Sequence, residues 1–172
     1  MAIIEAIASQ YLETDQASVT FSSIPSSYET LQVRGSHRSV YASGGQQFFV
    51  EFNGSTSGYS SVNGYGGNTS WNSSHTVNQS KIYLYDGIHG THPDAHEYGT
   101  FLMDIIDYAN TSKNATVQML VSGCLLYSTD SRVQMYAGLW DNTTTVSSIK
   151  LWPNSGVLTR GSHYTLYGLK SS

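Results

Sequence analysis

The densest run of side chains able to do chemistry is His89-Gly90-Thr91-His92-Pro93-Asp94-Ala95-His96-Glu97, which holds three of the six histidines and two carboxylates. Imidazole and carboxylate ligate first-row metals, so His89, His92 and His96 are the candidate ligands for a zinc, nickel or iron ion. The spacing matches no established motif. His92 and His96 would share a helical face, but Gly90 and Pro93 favour a loop, and no HExxH arrangement is present. The plainer expectation is a polar surface loop with solvated or backbone-bonded histidines. Oligomer symmetry could also gather such histidines on an axis. No metal or other cofactor is assigned.

Nucleophilic and acid–base chemistry fares no better. Ser36-His37 and Ser162-His163 put a serine beside a histidine, as chance will in so serine-rich a chain. The Gly-x-Ser-x-Gly elbow is missing, because Gly54-Ser55-Thr56-Ser57-Gly58 has Thr at its centre. Glu51, Asp86, Asp104 and Asp107 could supply a carboxylate pair for glycoside hydrolysis, yet nothing separates them from turn formers and strand-edge charges. Gly64-Tyr65-Gly66-Gly67 lacks the lysine and following helix of a phosphate loop. The lone Cys124 lies in an apolar run and reads as a small buried hydrophobe. The Asn-x-Ser/Thr triplets follow from a composition rich in those residues.

Recognition is the other chemistry on offer. From Asn53 to Asn78 the chain interleaves Tyr59, Tyr65 and Trp71 with small polar residues. Aromatics supply contact area and small polar groups supply hydrogen bonds, as in adaptable recognition loops. Tyr59, Tyr65 and Trp71 are therefore the candidate glycan or subunit contacts, on what is expected to be a long surface loop.

The elements that must carry these residues are strands. Charged residues make up only 12% of the 172, and Ser, Thr, Asn, Gly and Tyr replace the Glu, Lys and Ala of helix surfaces. Leu, Ile, Val and Phe supply only about a fifth of the chain, but a net charge of −4 and 13 Tyr are not the profile of disorder. Period-two patterns run through Val19–Phe21, Leu31–Val33, Phe48–Phe52 up to the turn Asn53-Gly54, Ile82–Leu84, Val117–Leu125, Val133–Ala137, Ile149–Leu151 and Tyr164–Leu166. Ala2–Leu12 and Phe101–Ala109 fit either a strand or a helix, with a hairpin favoured for the second. The fold class is all-β: an antiparallel β-sandwich, jelly-roll-like, of about eight or more strands. Residues 1–16 form an N-terminal arm or edge strand, and 17–172 a single β-sandwich domain. A single cysteine excludes an internal disulfide. Eight Lys+Arg against 12 Asp+Glu give no basic field for nucleic acid. No apolar run reaches the roughly 20 residues of a membrane span. The N-terminus lacks the basic region of a signal peptide, so synthesis and folding in a cytoplasm are expected.

Five motifs in order carry a resemblance. Ala17-Ser-Val-Thr-Phe-Ser-Ser-Ile-Pro-Ser-Ser-Tyr28 with Leu31-Gln-Val-Arg-Gly-Ser-His-Arg38 resembles the opening of a class of small tailed-bacteriophage proteins. Phe49-Val-Glu-Phe-Asn-Gly-Ser-Thr-Ser-Gly-Tyr-Ser60 is similar to the Phe-Asn-Gly hairpin of that class. Ile106-Asp-Tyr-Ala-Asn-Thr-Ser-Lys113, Gly138-Leu-Trp-Asp-Asn-Thr-Thr-Thr-Val-Ser-Ser-Ile-Lys-Leu151 and Gly161-Ser-His-Tyr-Thr-Leu-Tyr-Gly-Leu169 follow. The resemblance implies a β-sandwich virion surface module without catalytic residues. In its frame Trp140 and Trp152 pack around a hairpin Asp141–Val146. The expected function is that of a non-enzymatic capsid decoration or cement protein. It is expected to be a homo-oligomer, with a trimer favoured, that contacts the major capsid protein or other virion proteins. Ala2–Leu12 would pair with a neighbour's sheet edge or lie on the capsid. The alternative is a tail-fibre, baseplate or head-fibre module that binds host-surface carbohydrate. Neither requires nucleic acid or membrane insertion.

Overall fold

The computed structural model describes residues 2–40, 45–66, 71–89, 97–123 and 132–171. All the regular structure in them is strand. An eight-stranded antiparallel sheet has the order β1 (Ala2–Tyr11), β12 (His163–Ser171), β3 (Thr30–His37), β8 (Gly99–Ile106), β9 (Ala115–Gly123), β10 (Arg132–Trp140), β5 (Tyr59–Gly66) and β6 (Trp71–Gln79). A four-stranded sheet has the order β2 (Val19–Phe21), β11 (Ile149–Pro153), β4 (Gly45–Phe52) and β7 (Ile82–His89). The expected all-β antiparallel sandwich is the observed architecture.

Alternation builds the core between the sheets. In β8, Gly99, Phe101, Met103 and Ile105 are buried, while Thr100, Leu102, Asp104 and Ile106 lie toward solvent. The same period buries Leu31 and Val33 of β3, Val117, Met119 and Val121 of β9, and Tyr164 and Leu166 of β12. The small sheet answers with Phe48, Val50, Phe52, Ile82, Leu84, Ile149 and Leu151. Aromatic rings join the layers. Phe52 of the small sheet meets Trp140 of the large one at 5.8 Å, and Tyr59 stacks on Trp140 at 6.1 Å with 13° between planes. His37 lies between Phe48 and Phe101, at 4.6 and 4.8 Å.

Buried tyrosines fasten the crossings between sheets. The Tyr59 hydroxyl donates to the Phe52 carbonyl at 3.2 Å and accepts from the Phe52 amide at 2.9 Å. Tyr108 donates to the Pro25 carbonyl at 2.6 Å and accepts from the Tyr28 amide at 3.1 Å. Each hydroxyl satisfies backbone groups that sheet pairing leaves over at a corner. Burial pushes the Tyr59 phenol up to about 12 and Tyr164 well above its ordinary value.

Several expectations are corrected here. The turn Asn53-Gly54 forms, with φ of 54° and 68°, but it carries the chain from the small sheet to the large one instead of closing a hairpin. The Asn53 side chain then accepts from the Ser147 and Ser148 amides at 2.8 and 3.0 Å, holding the β10–β11 connection. Residues 141–146 lie in that connection and are likewise no hairpin, because β10 and β11 belong to different sheets. The tract from 53 to 78 is not one long loop, since β5 and β6 pair within it over Tyr59–Gly66 and Trp71–Gln79. Ala2–Tyr11 is a strand at the edge of the large sheet, paired on one side with β12 of its own chain.

Candidate functional site

The outward face of the large sheet changes character across its width. One transverse row follows from strand register: Thr165, Arg34, Leu102, Leu120, Met135, Gly64 and Ser73. The next is Tyr167, Gln32, Asp104, Gln118, Ala137, Val62 and His75. On the β12–β3–β8 side the polar groups bond to one another. Arg34 donates to Gln32 at 2.7 Å, Gln32 donates to Asp104 at 2.6 Å, and the guanidinium sits 4.9 Å over the Tyr167 ring.

Past β8 the face turns apolar. Val62, Leu120, Val133, Met135 and Leu139 point outward with Trp71 and Val77. Together they are seven of the eleven exposed large hydrophobics among the described residues. Met135 is 59% exposed and Leu120 48%. The small residues Gly64 and Ala137 lower the floor between them, leaving a shallow trough of about 520 Å³ walled by Val62, Leu102, Leu120 and Met135.

Trp71 shapes the far side. It pairs with Gly66 across the β5–β6 hairpin, and its ring lies over the Gly64 and Gly66 backbone. A Cβ at Gly64 would stand 2.5 Å from the indole, so a side chain there would expel the ring. Trp71 is 61% exposed, presenting its other surface to solvent.

The sequence-predicted residues do not gather. Tyr59 is in the core, bonded to Phe52, and leaves the set of surface contacts. Tyr65 is half-buried on the opposite face of β5 from Val62 and Gly64. Trp71 alone of the three is on the outer surface. His92 and His96 lie outside the described residues, as does Cys124, and for His89 only its place at the end of β7 is described. Among the described residues no three His, Cys, Asp or Glu come together as a metal group. Glu51 projects from the small sheet, Asp104 from the far face of the large sheet, and Asp107 sits in a turn 3.7 Å from Lys113, so these three form no carboxylate pair. Ser162 is buried, and its hydroxyl accepts from the Arg38 amide at 3.2 Å. Among the described residues no helix is long and apolar enough to cross a membrane.

Sequence reasoning missed the β10 part of this face. The alternation Val133, Met135, Ala137 reads as the buried side of a strand, yet those residues face out while Gln134, Tyr136, Gly138 and Trp140 face in. The signal was available in Trp140 and Tyr136, whose area outweighs that of Val133 and Met135 when the phase is decided.

No family model matches the chain, and no curated protein matches it. Among solved structures, a protein of unknown function from Shewanella oneidensis MR-1 is 11% identical over 98% of this chain and 77% of that chain, with a TM-score of 0.26. A likeness that slight carries no argument.

Proposed function

We propose that this chain is a non-enzymatic structural protein of a tailed-phage virion, a decoration or cement protein that stabilises the capsid through contacts between subunits. The assignment to a virion rests on the five-motif sequence resemblance. The observation that carries the assembly role is the bare apolar half-face of β9, β10, β5 and β6. Seven exposed large hydrophobics gathered on one sheet face are the composition of a contact surface, and covering them with protein gives a direct gain.

Strand pairing supports the finer jelly-roll reading. β1 pairs with β12, β2 with β11, β3 with β8 and β4 with β7. Those four nested antiparallel pairs are what a long hairpin wound into two sheets produces. The β5–β6 hairpin and the pair β9–β10 then extend one edge. Jelly rolls serve both as capsid and as lectin domains, so the architecture favours neither role by itself.

The test is position on the particle. Quantitation of the chain in purified virions is expected to give a simple ratio to the major capsid protein, with label on the head. Detection only at the tail would overturn the cement reading. Deleting Ala2–Leu12, the natural first experiment for an arm, is a poor test, because it strips β1 from β12 within the same chain.

One observation favours a second reading, a tail-fibre, baseplate or head-fibre module for host-surface carbohydrate. Trp71 is an exposed ring held over two glycines, the platform on which a sugar ring stacks. That reading expects host-cell adsorption by the purified chain and its loss in Trp71→Ala; wild-type protein that never adsorbs counts against it.

A further inference from the structure

We propose that the apolar half-face is covered by the same face of a second copy of this chain, in a two-fold pair. The inference rests on the assembly reading above and supplies its partner.

Three properties of the face select this occupant. The first is size. The four apolar strands β9, β10, β5 and β6, with β8 as their polar margin, lie about 4.8 Å apart and rise about 3.3 Å per residue over some eight residues, a plane of roughly 600 Å². Side-chain relief raises the accessible area toward the ~800 Å² per partner of a standard stable interface. The second is charge. Among the described residues the titratable side chains on the outward face of these five strands are His75 and Asp104, at opposite margins. Asp104 is already held by Gln32. The centre therefore offers no ion to a charged partner, while Met, Trp and branched aliphatics are the residues of a buried contact centre.

The third is relief. Val62, Leu120, Met135 and Leu139 stand as ridges beside the low floor of Gly64 and Ala137. Packed sheets interdigitate side chains across about 10 Å, and a face holding both ridges and furrows can receive its own copy. Among the described residues the remaining exposed large hydrophobics are Ile3, Ile4 and Tyr11 on β1 and Val40, so no other surface of the copy presents a comparable apolar area. The contact is consequently isologous, with two-fold symmetry. This replaces the three-fold closure expected from the sequence.

Light scattering on the size-separated full chain, from low to high micromolar concentration, tests the pairing. The wild type is expected at twice the 18.8 kDa chain mass, and the double substitution Leu120→Lys/Met135→Lys at one chain mass with an unchanged circular dichroism spectrum. Leu139→Asn is expected to weaken pairing in the same direction without adding charge, and Ile4→Lys on β1 to leave it intact. A wild type that stays monomeric, forms trimers, or stays paired despite Leu120→Lys/Met135→Lys overturns the proposal. A monomeric chain that still decorates particles defeats the pairing alone. A paired chain absent from particles defeats the virion reading alone.

Discussion

The outer faces of the two sheets both carry large apolar side chains, and the chain treats them differently. On the small sheet Phe49 points away from the core, yet it is only 2% exposed. Trp152 and Tyr83 meet its ring at 5.5 and 5.1 Å, and the Lys81 ammonium caps it at 4.1 Å. Among the described residues Leu120, Met135 and Val62 on the large sheet have no such cap and are 48%, 59% and 48% exposed. A lysine stem and a cation–π contact suffice to close an aromatic cluster within one molecule. Among the described residues nothing equivalent closes the apolar half-face of β9, β10, β5 and β6. On the proposed pairing, the contrast separates a surface finished by its own chain from one covered by a second copy.

Breaking the open face has the largest expected effect. Leu120→Lys/Met135→Lys places four charges in the centre of a two-fold contact and is expected to weaken pairing on the order of 1,000-fold, about 4 kcal/mol, in dilution experiments. The core shared by both sheets comes next. The folded-state Tyr59 pKa of about 12 lies above the ordinary unfolded value of about 10. Its contribution is thus complete below about pH 10 and is lost as pH climbs to about 12, at about 1.4 kcal/mol per unit. Thermal melts should be flat up to about pH 10 and fall steeply beyond it, with Tyr164 adding to the decline.

Opening the closed face is a smaller change. Lys81→Ala removes the cap from Phe49 and is expected to cost about 1 kcal/mol in denaturant titration while leaving assembly intact. Smallest in the stability of the single chain is Trp71→Ala, whose ring is mostly exposed there; in the unpaired Leu120→Lys/Met135→Lys background its melt should shift by less than about 0.5 kcal/mol. Any loss of host-cell adsorption in that variant speaks for the carbohydrate reading, and unchanged adsorption speaks against it.

The sandwich was legible because half-buried strands write their burial as alternation. β3, β9 and β12 read directly, and the ambiguous Phe101–Ala109 proved to be most of β8 and the turn after it. β6 was not legible. Its residues Trp71-Asn-Ser-Ser-His-Thr-Val-Asn-Gln are exposed or half-buried on both sides, so burial leaves no alternating trace. In β10 both faces are apolar, and the phase was misread by one residue, which reverses every side chain. The candidate face was obscured for the same reason. Its outward residues resemble core residues, and only register shows that Leu102, Leu120 and Met135 share a row on the solvent side.

The central claim, that this half-face is a protein contact, is tested most directly by oxidising Met135. Its thioether is more than half exposed in the single chain, so it should convert readily to the sulfoxide when the protein is dilute. The account predicts strong protection of Met135 in the concentrated protein and on assembled particles, with Leu120→Lys restoring reactivity. A Met135 that oxidises at the same rate when dilute, concentrated and on the particle would contradict it.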